Sequence, residues 1–270
     1  MNTAPIGIFD SGLGGLTVAR AIYRTLPDES TVYFGDTARV PYGPKSPAVV
    51  RRYSLEIMEW LLRQGVKAIV VACNTSTAHA LEALQGASPV PVLGVIEPGA
   101  RAAVEHGIDR PIGVLGTAGT IASGAYDRAI HSRAPGASVV SRACPLLVPL
   151  VEEGWFDRPA TRLVVAEYLA PLLAAGVASL VLGCTHYPLL KPLLADLAGP
   201  GVALIDSADE TARAMAALLA ATGTGAPARS RGRVVHRFAV SDDPERFRTV
   251  GSRFLGERLE MAEVISLGGH

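Results

Sequence analysis

The sequence is poor in cysteine and has no excess charge of either sign. Three cysteines among 270 residues, without a Cys-x-x-Cys pair, argue against a disulfide framework or a structural zinc site and predict a reducing, cytoplasmic environment. The 25 basic residues balance the 25 acidic ones, so the basic footprint of a nucleic-acid-binding protein is missing. We therefore expect no nucleic-acid partner.

Long apolar runs are missing as well. No stretch reaches the roughly 18 uninterrupted apolar residues of a membrane span, and the basic segment and apolar run of a secretory signal peptide are not found. Hydrophobic residues nevertheless make up 49% of the chain, which is enough for the core of one large or two small domains. We expect a globular protein without a membrane partner.

The strongest local signal is an apolar run that ends at Gly183. Such a run, bounded by glycine, is typical of a buried parallel strand. Cys184, Thr185 and His186 follow it directly. Ligands of open α/β sheets bind beyond the carboxyl ends of the strands. The sequence therefore predicts that a thiol, a hydroxyl and an imidazole lie where a ligand binds.

The first half of the chain contains a similar stretch, in which an apolar strand ends in Ala72, Cys73, Asn74 and Thr75. Further segments are alike at a nearly constant offset along the chain: 6–12 with 112–118, and 94–97 with 203–206. Chance similarity among apolar strands is the alternative explanation. We predict an α/β protein of two pseudo-symmetric domains with open, mostly parallel sheets, in which each domain contributes one cysteine to an active site in the cleft between them.

The elements after residue 233 have no counterpart in this repeat. We expect them to complete the first domain, which then comprises residues 1–93 plus 207–270, while residues 94–206 form the second domain. Other expectations concern individual segments: a helix at 78–84, a strand at 90–96, a helix at 98–106, loops at 117–120 and 223–233, and an irregular segment at 144–154.

A glycine-rich loop, Asp10-Ser-Gly-Leu-Gly-Gly15, separates the first predicted strand from a helix that begins at Leu16. Backbone N–H groups at a helix N-terminus attract anions. The loop has no Walker lysine, and Thr17 occupies the third glycine position of a dinucleotide fingerprint, so the pattern favours a carboxylate over a nucleotide. The alternative is a tight turn that needs glycine for its backbone geometry alone.

Two cysteines facing one cavity provide acid–base chemistry without a cofactor. A free thiol has a pKa of about 8.5, so one cysteine can serve as the base and the other as the acid near neutral pH. If the two sulfurs flank one carbon, one removes a proton and the other delivers a proton to the opposite face, which inverts a stereocentre. Hydrogen-bond donors directed at the adjacent carboxylate must stabilise the developing charge.

Several motifs resemble those of the bacterial glutamate racemases, in the same order, between residue 6 and about residue 220. They are Phe9-Asp-Ser-Gly-Leu-Gly-Gly-Leu-Thr17, Gly35-Asp36, Pro41-Tyr-Gly43, Ala72-Cys-Asn-Thr75 and Gly183-Cys-Thr-His-Tyr-Pro-Leu-Leu190. The resemblance implies a cofactor-independent enzyme that interconverts L- and D-glutamate for peptidoglycan synthesis, with Cys73 and Cys184 as the acid/base pair. It also implies the substrate-binding residues, which are Asp10, Ser11, Tyr42, Gly43, Asn74, Thr75, Thr117, Thr120, Thr185 and His186.

Two residues are candidates for assisting the cysteines. His186 would orient or charge-balance Cys184, unless it is a hydrogen-bonded histidine of the core. Asp10 would accept a hydrogen bond from the Cys73 thiol or from the substrate ammonium group, unless it caps the following helix.

Further along the chain, Glu152 or Glu153 is a candidate for tuning the Cys184 side, and the sequence does not choose between them. Asp36 either has a functional role or holds a turn. Cys144 lacks the strand-end context of the other cysteines, and we expect it to be structural.

Other functions remain open on sequence alone. The alternatives are another two-cysteine racemase, acting on aspartate or a hydantoin, a two-domain protein that binds a small acid without chemistry, and a protein-binding partner of DNA gyrase. Ligand binding alone does not need two cleft cysteines, which argues against the binding protein. We expect no metal and no cofactor, and the sequence leaves the oligomeric state open, with a homodimer as one alternative.

Overall fold

The computed structural model describes residues 2–227 and 234–267. The strands are β1 (Ile6–Asp10), β2 (Thr31–Gly35), β3 (Ala68–Val71), β4 (Val92–Gly94), β5 (Ile112–Gly116), β6 (Val139–Ala143), β7 (Ser179–Gly183), β8 (Ala203–Asp206), β9 (His236–Val240) and β10 (Glu263–Val264). The helices are α1 (Leu16–Thr25), α2 (Pro47–Arg63), α3 (Asn74–Ala87), α4 (Ile96–His106), α5 (Ala118–Ala122), α6 (Ala125–Arg133), α7 (Leu147–Glu152), α8 (Pro159–Ala174), α9 (Lys191–Ala198), α10 (Ser207–Thr222) and α11 (Pro244–Leu255).

The strands of the described chain form two parallel sheets, with the orders β10-β9-β2-β1-β3-β4 and β6-β5-β7-β8. The order β2-β1-β3-β4 in the first sheet matches the whole order of the second. The registers correspond too, because Ile6 pairs with Ala68 in the first sheet and Ile112 pairs with Ser179 in the second. The predicted internal repeat and the predicted class, an α/β fold with two pseudo-symmetric parallel sheets, are confirmed.

The central strands are buried along their whole length. Every residue of β1, β3, β5 and β7 is shielded from solvent by helices on both faces. This explains why their sequences are continuous apolar runs rather than alternating ones. Each fully buried Val, Leu or Ile side chain contributes about 1.5–3 kcal/mol to folding.

The C-terminal elements return to the first sheet. β9 pairs with β2, and β10 extends the edge by pairing with β9. Helix α11 packs against α1. Of the loop predicted at 223–233, residues 223–227 are described and contain no helix or strand, and residues 228–233 lie outside the described residues.

Helix α3 begins at Asn74, directly after the first cysteine strand, so the prediction of a helix at 78–84 starts too late. Cys73 is the N-cap residue, and its sulfur accepts a hydrogen bond from the backbone N–H of Ser76. A thiol is an unusual cap, which is why the polar residues after Cys73 resembled a loop.

Other predicted boundaries were also wrong. The strand predicted at 90–96 spans only Val92–Gly94, because the chain turns into α4 at Ile96. The loop predicted at 117–120 contains the start of α5, whose N-cap Thr117 accepts from the backbone N–H of Thr120. The segment predicted to be irregular contains α7.

Candidate active site

A cavity of about 420 Å³ opens between the two halves of the molecule. Its lining residues come from both repeats and from the loop before α2. They are Ser11, Val40, Pro41, Tyr42, Gly43, Pro44, Cys73, Asn74, Thr75, Thr117, Ala118, Pro145, Val148, Pro149, Glu152, Cys184, Thr185 and His186.

The two strand-end cysteines face this cavity from opposite halves. Cys73 follows β3 and Cys184 follows β7, which occupy equivalent places in the two sheets. Their residues are only 5% and 6% exposed, and both are free thiols. The repeat therefore delivers one thiol from each half to a single cavity.

Cys73 lies in an environment that favours the neutral thiol. Burial raises the pKa of Cys73 to about 11, and the nearby Asp10 carboxylate adds to this rise. The thiol donates toward Oγ of Ser11 at 3.6 Å, while the Ser76 N–H donates to the sulfur at 3.4 Å. The raised pKa therefore favours the protonated thiol of Cys73 at neutral pH.

Asp10 is fully buried and lies behind the cavity wall rather than on it. Its Oδ1 accepts from the backbone N–H of Gly12 at 2.9 Å, and its Oδ2 has no hydrogen-bond partner among the described residues. Burial raises the pKa of Asp10, whereas the proximity of His186 lowers it. The N-cap residue of α1 is Gly15 rather than Asp10, although a backbone hydrogen bond from Gly15 helps to lower the pKa of Asp10.

Cys184, His186 and Glu152 form a chain of polar contacts on the other wall. Nδ1 of His186 lies 3.9 Å from the sulfur of Cys184, and Nε2 lies 3.0 Å from Oε1 of Glu152. Burial alone would lower the pKa of His186, but contacts with Cys184 and Glu152 raise it to about 10. The raised pKa favours the imidazolium form of His186 beside the sulfur of Cys184.

The structure distinguishes the two adjacent glutamates that the sequence left open. Glu152 lines the cavity and also accepts from Nη2 of Arg246 at 3.2 Å. Burial would raise its pKa, but His186 and Arg246 hold the pKa below its usual range. The Glu153 side chain is 66% exposed and lies 3.8 Å from Arg246.

Three threonine hydroxyls join the halves at one edge of the cavity. Oγ1 of Thr75 lies 2.9 Å from Oγ1 of Thr117 and 3.3 Å from Oγ1 of Thr120, and the last two are 3.0 Å apart. Thr75 and Thr117 line the cavity, whereas Thr120 lies behind them. Thr120 thus supports two candidate substrate-binding hydroxyls.

Tyr42 lines the cavity, but its hydroxyl is directed elsewhere. It donates to the buried carboxylate of Asp36, which also accepts from Oγ of Ser241 at 2.8 Å. The carbonyl oxygen of Gly43 accepts from the N–H of Gly119 at 3.0 Å across the cleft. Asp36 therefore fixes the loop that carries Tyr42 and Gly43.

The glycine-rich loop makes the closest approach to the second cysteine segment. A Cβ atom on Gly14 would lie 2.1 Å from Oγ1 of Thr185 and 2.5 Å from Nδ1 of His186, which no side chain could occupy. Thr17, at the start of α1, donates to the carbonyl oxygen of Thr185 at 3.2 Å. Glycine at position 14 therefore serves close packing of the two halves, and Ser11 is the loop member on the cavity wall.

One wall of the cavity is apolar, which was not predicted from the sequence. This wall is formed by Val40, Pro41, Pro44, Pro145, Val148 and Pro149. The sequence signal that could have indicated this wall is the pair of proline-containing segments, 41–44 and 145–149. Such a wall limits the access of water, which strengthens electrostatic interactions inside.

Cys144 is buried and is not among the lining residues. Its thiol donates to the carbonyl oxygen of Arg142 at 3.5 Å, and burial raises its pKa to about 12.

Neither a metal-binding cluster nor a membrane-spanning helix occurs among the described residues. Residues 2–227 and 234–267 contain no group of three or more His, Cys, Asp or Glu side chains placed to hold a metal ion. No helix in these ranges has the length and apolar character needed to cross a membrane.

Comparisons with known proteins agree with the motifs. The model of the Asp/Glu/hydantoin racemase family matches residues 7–215. The glutamate racemase of Syntrophus aciditrophicus is 53% identical over 263 residues, with 97% of each chain covered. Glutamate racemase isoform RacE1 from Bacillus anthracis has a TM-score of 0.92 and 41% identity, covering 99% of this chain and 98% of its own. Francisella tularensis glutamate racemase, solved with D-glutamate, has a TM-score of 0.91 and 37% identity, with 98% of each chain covered. The chain therefore belongs to the Asp/Glu/hydantoin racemase family, as its motifs predicted.

Proposed function

We propose that this enzyme interconverts L- and D-glutamate by proton transfer at Cα between two cysteines. The observation that carries the proposal is the placement of Cys73 and Cys184 at equivalent strand ends on one cavity. The names of the relatives support glutamate as the substrate, and the Francisella tularensis enzyme was solved with D-glutamate.

The surroundings of the two sulfurs support different roles for them in one direction of the reaction. In this mechanism Cys184 acts as the thiolate base, next to the His186 imidazole whose pKa is raised, and Cys73, whose pKa is raised by burial, acts as the thiol acid. The thiolate removes the Cα proton, the electron pair of the C–H bond moves toward the substrate carboxylate, and the Cys73 thiol protonates the opposite face. Turnover leaves Cys184 protonated and Cys73 as the thiolate, so the reverse direction uses the same pair with exchanged roles.

Substrate carboxylates are bound by neutral donors in this proposal. In the described part of the chain, the cavity lining contains no lysine or arginine. It offers instead the hydroxyl and amide groups of Ser11, Asn74, Thr75, Thr117 and Thr185. Dipoles fixed in a water-poor site can stabilise the charge that develops on the carboxylate without reorganising.

The two sulfurs must reach one carbon from opposite sides. A reacting distance of about 3–3.5 Å on each side places them about 7 Å apart with substrate bound, far beyond the roughly 2.05 Å of a disulfide. A liganded structure with both sulfurs on the same side of Cα would refute this geometry.

Circular dichroism of single enantiomers tests the function directly. The purified protein should bring the signal of L-glutamate and of D-glutamate to zero, and it should leave aspartate and a substituted hydantoin unchanged. If the signal of aspartate or of the hydantoin decays and that of glutamate does not, glutamate is not the substrate. The activity should survive dialysis against a chelator, because the mechanism uses neither a metal nor a cofactor.

The proposed cellular role follows from the substrate. D-glutamate made by this enzyme would supply peptidoglycan synthesis in the cytoplasm, where its three free cysteines stay reduced. We propose the domain boundaries 1–93 plus 207–270 and 94–206, supported by the membership of β9 and β10 in the first sheet. A homodimer remains a prediction, to be tested by light scattering.

A further inference from the structure

A buried tyrosine on α6 connects the two cysteine-bearing strand ends. Tyr126 is almost fully shielded from solvent, and its hydroxyl donates to Oδ1 of Asn74 at 2.7 Å. Asn74 belongs to the first half and directly follows Cys73, whereas Tyr126 belongs to the second half. This hydrogen bond therefore crosses the cleft immediately behind the cavity.

Tyr126 also packs behind the second cysteine. A Cβ atom on Gly183, the residue before Cys184, would lie 2.9 Å from Cε2 of the tyrosine ring. Glycine at this position lets the ring approach the end of β7. One side chain thus contacts the segments that carry both thiols.

The side-chain amide of Asn74 has a hydrogen-bond partner for its oxygen but, among the described residues, none for its nitrogen. Asn74 is buried and lines the cavity, and its Nδ2 has no hydrogen-bond partner among the described residues. A buried amide donor without a partner is costly, unless a ligand accepts from it. The carboxylate of an amino acid is such an acceptor.

The phenol determines which end of the amide faces the cavity. A side-chain amide can rotate by half a turn, which exchanges its donor and its acceptor. The flipped amide would leave the phenol with Ser207 as its remaining side-chain partner and would turn Oδ1 toward the substrate carboxylate. Burial raises the pKa of Tyr126, so the phenol keeps its proton at any pH where the enzyme works.

We infer that Tyr126 is a positioning residue that holds the Asn74 amide with its N–H groups directed at the substrate carboxylate. The inference rests on the proposed function for the identity of the substrate, but the orientation of the amide does not. A residue of the second half, Tyr126, thus helps a residue of the first half, Asn74, to bind the substrate.

Tyr126→Phe removes the hydroxyl and keeps the ring. We expect the KM for both glutamate enantiomers to rise about tenfold, the effect of one buried hydrogen bond, while kcat changes by less than about threefold because binding is weakened in the ground state and the transition state alike. Tyr23→Phe is the matched control. Its hydroxyl accepts from Thr31 at 3.1 Å, away from the cavity, and its loss should leave KM unchanged.

A double-mutant cycle separates positioning from a purely structural role. In an Asn74→Ala background, Tyr126→Phe should cause no further loss of kcat/KM, since the amide that it orients is gone. An equal loss in both backgrounds, or a Tyr126→Phe enzyme with wild-type KM, would overturn the inference.

Two further measurements keep the test independent of folding and of the proposed function. Asn74→Asp retains the acceptor for Tyr126 but replaces the cavity-facing donor, and wild-type KM in this variant would also refute the inference. Calorimetric titration with D-glutamate reports the same loss as a weaker affinity. If the wild-type protein does not racemise glutamate at all, the proposed function fails, while the calorimetric comparison of Tyr126→Phe with wild type still decides the role of Tyr126.

Discussion

Nε2 of His186 lies 3.0 Å from Oε1 of Glu152, on the side of the ring opposite to the Cys184 sulfur. The Glu152 carboxylate, the His186 imidazole and the Cys184 sulfur therefore form one chain of contacts that ends at the cavity. Behind the facing wall, the carboxylate of Asp10 lies close enough to the other thiol to raise the pKa of Cys73 further. The two walls thus repeat the fold of the chain but differ in the charged groups that lie beside each sulfur.

Glu152→Gln should weaken the enzyme most at high pH. Without the carboxylate, the pKa of His186 falls from about 10 toward the ordinary value of about 6.5. The imidazole then loses its charge at a lower pH. On the alkaline side of the pH profile, kcat/KM should therefore begin to fall at a lower pH. We expect about a tenfold loss at pH 8, measured by circular dichroism.

The same substitution should change how stability depends on pH. The raised pKa of His186 contributes to the free energy of unfolding below pH about 6.5, and this contribution is lost as pH rises through about 10. In Glu152→Gln the loss should occur at lower pH, as measured by urea unfolding between pH 7 and 10. Glu153→Gln, at an exposed side chain, is the control. Equal pH profiles for Glu152→Gln and wild type would contradict the proposed charge on His186.

Asp10→Asn should make Cys73 easier to ionise. Burial is the main reason for its raised pKa and remains in the variant, but the contribution of the carboxylate disappears. The pH profile of alkylation by iodoacetamide should shift about one unit downward, measured in a Cys144→Ala, Cys184→Ala background so that only Cys73 reacts. Asp109→Asn, at an exposed position, should leave the profile unchanged. An unshifted profile for Asp10→Asn would show that Asp10 does not act on this thiol.

Gly14→Ala should reduce activity by a steric effect. The new methyl group would collide with Thr185 and His186, so the two halves must separate or the second cysteine segment must move. A displacement of about 1 Å at a reacting group can cost roughly 100-fold in rate. Gly136→Ala adds the same methyl group where no atom lies within 4 Å, and it should retain wild-type kcat/KM. Comparable activity of the two variants would show that this contact does not position the site.

Neither cavity cysteine should be dispensable. Cys73→Ala and Cys184→Ala should each abolish racemisation in both directions, because each direction needs an acid and a base. Cys144→Ala should stay within about threefold of wild type, since its thiol is absent from the cavity wall. Normal turnover by either of the first two variants, measured with each enantiomer, would exclude the assigned pair.

The sequence predicted the parts of the fold that local patterns determine. Local residues mark the start of helix α11, because Asp243 caps it and Pro244 occupies its first turn. Helix α6 was not predicted, because it follows Gly124 in a left-handed conformation and has no side-chain cap. Strand β6 was missed because it is only partly buried, which leaves no continuous apolar run.

The same distinction applies to the site. The strand-end cysteines and the polar residues that follow them are local motifs, so the sequence indicated them. Arg246 and Tyr126 reach the site from distant segments through tertiary contacts, and nothing near them in the sequence marks a function. The choice of Glu152 over its neighbour depends on which face of α7 meets His186, which only the packing of the helix decides.

Isotope incorporation tests the two-base claim most directly. A single glutamate enantiomer is incubated with the enzyme in deuterated water, and both enantiomers are analysed by mass spectrometry at low conversion. The thiol that takes the substrate proton lies on one face, and the opposite thiol, already exchanged with solvent, delivers deuterium. The product should therefore carry deuterium at Cα almost completely, while the recovered substrate remains protiated. Substantial protium in the product would mean that one base serves both faces, and it would contradict the pairing of Cys73 with Cys184.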